Sequence, residues 1–194
     1  MQEAFGSSTV VYGETDTQII CAIKAEIQKP LDSEPAQGQV AFHLESSQTG
    51  SSLFTREQEA DLIRTRMTQI LSTLYNNIID RSELMIYKSE FVWNLNVDIL
   101  VMDELELHQF DHVALAVRSA FQDLSLPQVI ATMNANTNKI EVGLVEEVYT
   151  DKDNTDQLQL IKSAGAAPFV ISIAVLRDEV DGDLVVLDCD SIEI

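Results

Sequence analysis

The sequence predicts one α+β domain. Three observations carry this: short runs with strand alternation, two long segments with helical periodicity between them, and neither a long linker nor a convincing internal repeat. A chain of 194 residues with 45% apolar content is long enough to bury a real core.

The strands open with Thr9–Tyr12, closed by Gly13 and the turn chemistry of Glu14-Thr15-Asp16. Thr17–Ile27 follows, with Ile19, Cys21 and Ile23 on one face. Pro30, Pro35 and Gly38 make 31–39 a loop, and Val40–Glu45 reads as a third strand. Ser46–Ser52 is a polar loop. Gly and Pro are then absent from Thr55 to Asp80, which predicts an uninterrupted helix. Thr55 is a candidate N-cap, with Gln58 completing a capping box. Leu62, Ile63, Met67, Ile70, Leu71, Leu74 and Ile78 form its expected core stripe.

Leu84–Tyr87 and Val92–Val101 read as strands, the second alternating through Trp93, Leu95, Val97, Ile99 and Val101. A second helix is expected over Phe110–Asp123, from the 3.6-residue spacing of Phe110, Val113, Ala114, Val117, Ala120, Phe121 and Leu124. Pro127 stops that element and starts a strand over Gln128–Met133. A turn at Asn134–Asn138 leads to Lys139–Val145. Thr150–Gln157 is an expected charged loop. Pro168–Leu176 and Leu184–Leu187 are expected strands around an Asp181-Gly182 hairpin.

Charge limits function. With 32 acidic residues against 12 basic, the chain carries a formal −20, a field of the wrong sign for gripping nucleic acid unaided. From Glu141 onward, 13 carboxylates face only Lys152, Lys162 and Arg177, so acidity concentrates at that end. No apolar run approaches the roughly 20 residues of a membrane helix, and the N-terminus shows no secretory pattern. Cys21 and Cys189 lack CxxC spacing and read as reduced, packed thiols of an intracellular protein.

The candidate chemistry is sparse. His108 and His112, four apart beside Asp111, have the spacing of two metal ligands on a helix, but a third ligand is missing and a surface or helix-entry pair is the better reading. Asp151–Asp156 resembles the start of a calcium loop, yet Asp156 stands where Gly is needed and Lys162 where a bidentate Glu belongs. P-loop and nucleophile-elbow motifs are absent. Asp188, Asp190 and Glu193, after a strand, are types able to bind a divalent metal or move protons, although in so acidic a chain solvated carboxylates are commoner. No metal or cofactor is expected.

The order of residues resembles the ribonuclease PH-like superfamily. The opening Ser8–Asp16 with Ile23–Ile27 and Pro30 resembles its first hairpin, and Trp93–Val101 its central strand. Phe110–Val117 through Leu126-Pro127 is similar to the helix and proline-started strand that follow. Pro168–Ala174 and Val185–Asp188 fit the last strand pair. The resemblance implies one ribonuclease PH-like domain over residues 1–194, of the ribosomal protein S5 domain 2-like β-α architecture. It looks shortened at both ends, because the basic segment that precedes the first strand in family members is missing and the chain stops near Glu193.

Lys24-Ala25-Glu26 resembles the second, inactive type of subunit in the hexameric ring of the RNA exosome. Active members carry a Gly-Gly-Thr-Arg-like loop that holds phosphate. Here the matching stretch is Asp103-Glu104-Leu105-Glu106-Leu107-His108-Gln109, without Gly or Arg. Asp188 and Asp190 resemble positions near the family's catalytic carboxylates, so half of a site persists. The resemblance implies a non-catalytic ring subunit of nucleus and cytoplasm. Its partners would be other ribonuclease PH-like ring subunits and RNA-binding cap subunits, with RNA met only through the assembled complex. Two alternatives stay open: a divergent phosphorolytic exoribonuclease using Asp188 and Asp190, and an acidic interaction domain sharing only the fold. Whether Lys24, Arg64, Arg66, Arg81 or Arg118 touches RNA is open, and a solvated or interface charge is the commoner role for each.

Overall fold

The computed structural model describes residues 4–13, 16–47, 54–87, 90–103, 105–134, 139–144, 158–178 and 182–187. Its centre is a five-stranded sheet of β1 (Gly6–Tyr12), β2 (Thr17–Gln28), β3 (Gln39–Ser46), β4 (Met85–Tyr87) and β5 (Phe91–Val101), covered on one face by α1 (Phe54–Ile78) and α2 (Phe110–Gln122). The order is β1-β2-β5-β3, with β4 also pairing β5. β1, β2 and β4 run antiparallel to their neighbours, whereas β3 runs parallel to β5. Parallel neighbours need a long crossover, and α1 lies in it.

The register explains the core. Ile19, Cys21, Ile23 and Ala25 sit opposite Val101, Ile99, Val97 and Leu95, and Val40 and Leu44 meet Leu95 and Ile99 from the other side. All of these are buried. Period-2 alternation thus delivers one apolar face to the helices. α2 answers with Val113, Ala114, Ala116, Val117, Ala120 and Phe121, each at most 2% exposed. Its small residues let β1 come close: a Cβ on Gly6 would lie 2.5 Å from the Ala120 carbonyl oxygen.

α1 starts at Phe54, so Thr55 lies inside its first turn rather than capping it. Its inward row is Met67, Leu71 and Tyr75, continued at the same spacing by Ile79 just past its end; Tyr75 and Ile79 were not part of the predicted stripe. Leu62 and Ile70, predicted as core, are 61% and 45% exposed. The helix meets the sheet along a row narrower than the full set of apolar residues it carries.

Other boundaries moved for local reasons. Leu84 ends a 3-10 turn, Arg81–Leu84, instead of starting a strand. The Asp80 carboxylate accepts from both the Ser82 amide (3.0 Å) and its hydroxyl (2.6 Å), which winds the turn and lowers the Asp80 pKa. Pro127 ends a strand rather than beginning one: β6 (Ser125–Pro127) pairs with the unforeseen β9 (Leu158–Leu160), and β7 (Val129–Asn134) pairs with β8 (Lys139–Leu144). The last hairpin is β10 (Ile173–Asp178) with β11 (Gly182–Leu187). Pro168–Ser172, predicted as strand, is not part of any ladder. It hangs instead on α2: Arg118 Nε donates to the Ala167 carbonyl at 3.2 Å, and the Asp111 carboxylate accepts from the Ser172 amide and hydroxyl. The turns at 135–138 and Asp181, and the 150–157 loop, lie outside the described residues, although the strand pairs flanking both turns are formed.

Candidate functional site

The parallel β3–β5 pair directs attention to its carboxyl end, where loops leave the sheet and α2 begins. β5 runs out at Val101, and the Ser47 amide donates to the Val101 carbonyl, so β3 leaves at the same level. Beyond it, Leu105 is buried and a 3-10 turn, Leu107–Gln109, leads into Phe110. Gln109, 4% exposed, accepts the Glu106 amide on its side-chain oxygen at 3.2 Å. The chain thereby closes this loop with its own groups.

Six polar side chains meet at this corner. The Thr17 hydroxyl donates to Asp103 at 3.1 Å. His108 Nδ1 lies 3.1 Å from the Glu106 carboxylate. Tyr12 stacks on His112, centroids 4.1 Å apart. Desolvation first, then the charges of Asp103 and Glu106, push the Tyr12 phenol up to about 12. Asp103 and Glu106 give this corner a negative character. Asp111 adds a carboxylate in the first turn of α2, where it accepts from Ser172.

His108 and His112 form the helix-entry pair expected of them, but they face different partners: Glu106 for one, Tyr12 for the other. No group of three or more potential metal ligands occurs among the described residues. Asp188, Asp190 and Glu193 lie outside the described residues, as do Cys189 and Asp151–Asp156. Of the five cations left open, Lys24 meets Asp98 at 2.6 Å, which raises the lysine's pKa first through the hydrogen bond. Arg81 grips Glu34 with two bonds of 2.8 and 3.1 Å, and Arg64 pairs with Asp61. Arg118 donates to Ala167, and Arg66 is exposed.

Sequence reasoning missed the second feature of this end, an open groove of about 560 Å³ between β3 and α1. Phe42–Ser46 line one side and Arg64, Thr65 and Thr68 the other. The usable signal was the i, i+1, i+4 spacing of Arg64, Thr65 and Thr68, three polar residues sharing a helix face. No helix among the described residues is long and apolar enough to cross a membrane.

Comparison with known proteins agrees with this architecture. The sequence model of the 3′ exoribonuclease family, domain 1, matches residues 1–127. Exosome complex component rrp43 of Schizosaccharomyces pombe is 30% identical over 128 residues, covering 66% of this chain and 46% of rrp43. Exosome complex component RRP45 of Danio rerio is 29% identical over 126 residues, 64% of this chain and 31% of RRP45. The chain thus spans less than half the length of either curated relative. Among solved structures, an archaeal exosome core superposes with a TM-score of 0.51 at 18% identity, covering 96% of this chain and 71% of that one. The Archaeoglobus fulgidus exosome with RNA bound to the active site gives 0.52 at 19%, covering 96% and 73%. At such identities the structures speak for the fold. A family match across residues 1–127, on the sheet and helices described above, places this chain in the 3′ exoribonuclease (RNase PH) family.

Proposed function

We propose that the chain is a non-catalytic structural subunit of an exosome core ring, supporting 3′-to-5′ RNA processing and degradation. The observation that carries this reading is the corner between β5 and α2. Where an active family member resembling this chain would hold phosphate, Asp103 and Glu106 surround Tyr12 and Asp111 adds a carboxylate in the first turn of α2. Two relatives named as exosome components support the assembly part of the reading.

In this reading residues 1–194 act as one domain, and the partners are other ribonuclease PH-like ring subunits and RNA-binding cap subunits. RNA reaches the protein only through the complex, and the complex works in nucleus and cytoplasm. The charge of −20 then has a role: basic neighbours supply the RNA contacts. Co-expression of the tagged chain with ribonuclease PH-like subunits, followed by affinity purification, tests the assembly. A stable stoichiometric complex is expected, and a chain that elutes alone overturns the reading. Phosphate-dependent release of nucleoside diphosphates from RNA by the purified chain would overturn its non-catalytic part.

A further inference from the structure

We draw no further inference here: the strongest candidate, the row of exposed apolar side chains Phe169, Ile171 and Ile173 that runs from the segment held on α2 into β10, is an unpartnered face, and nothing in the structure shows what covers it.

Discussion

Tyr12 and His112 lie face to face, their ring planes within 16° of parallel. The pair fastens the last residue of β1 to the first turn of α2, at the corner where the loop from β5 also arrives. Stacked aromatic pairs contribute about 0.5–1.5 kcal/mol beyond area burial. His112→Ala should therefore lower unfolding stability by about 1–2 kcal/mol in urea titration, counting the lost packing. Unchanged stability would show that the stack is incidental.

Alkaline pH should destabilise the fold. Burial, helped by Asp98, pushes the Cys21 thiol from 9.0 to about 12, and Tyr12 rises from 10.0 to about 12. Burial also raises Tyr75. In each case the folded state holds its proton more tightly than the unfolded chain. The stabilisation is complete below pH 9 and is lost as pH climbs from about 9 toward 12. Denaturant titrations from pH 8 to 11 should show falling stability above 9, and Cys21→Ala should flatten the first part of that decline.

Tyr75 packs against Phe121 at 4.6 Å, but its hydroxyl is buried without a hydrogen-bond partner among the described residues. A stranded hydroxyl costs free energy that its ring does not need. Tyr75→Phe is expected to be neutral or to raise stability by about 1 kcal/mol, while Tyr75→Ala loses about 3–5 kcal/mol. A destabilised Phe variant would reveal a partner for the hydroxyl.

Gly38 admits no side chain. An added Cβ would stand 2.4 Å from the Trp93 carbonyl oxygen and 2.5 Å from the Leu84 Cβ, and the Gly38 amide donates to the Arg81 carbonyl at 3.0 Å. Gly38→Ala should cost about 1–3 kcal/mol by overpacking. Removing the nearby Glu34–Arg81 pair, whose side chains are 37% and 26% exposed, should cost less, about 0–1 kcal/mol. Thermal melts of the two variants side by side would expose a reversed order.

The segment 167–172 is tied to α2 by Arg118 and Asp111, with Phe169 and Ile171 pointing outward at 66% and 59% exposure. Asp111→Ala removes both bonds to Ser172 and should free this stretch. Chymotrypsin cleavage after Phe169 is expected to rise about tenfold, in line with a loss of roughly 1–2 kcal/mol of local stability. Equal cleavage rates would mean that the Arg118 bond to Ala167 and the packing of Val170 hold the segment without Asp111.

Strands with strict alternation were legible in the sequence. Trp93–Val101 and Ile19–Ile27 declared their buried faces, and the spacing of Val113, Val117, Ala120 and Phe121 declared that of α2. Leu62 and Ile70 were misread because periodicity locates an apolar stripe without revealing how much of it a neighbour covers. The 3-10 turn at Leu84 and the clamp on 167–172 escaped because each is set by a side chain, Asp80 and Asp111, bonding to backbone nearby in space. For the site, the acidic character of 103–109 was visible at once. The Tyr12 stack was not, since it joins residues a hundred positions apart.

The placement of β5 between β2 and β3 governs when the fold can form. The two strands that flank β5 emerge from the ribosome first and wait, because Gln28 pairs with Val92 and Gln39 with Asn94. At roughly 5–20 residues per second, the β5-facing edges of β2 and β3 stay unpaired for several seconds until the central strand is made. Synthesis of this protein therefore carries an aggregation window that closes only when Val101 clears the exit tunnel. Arresting translation before and after that point should give nascent chains that differ sharply in protease resistance.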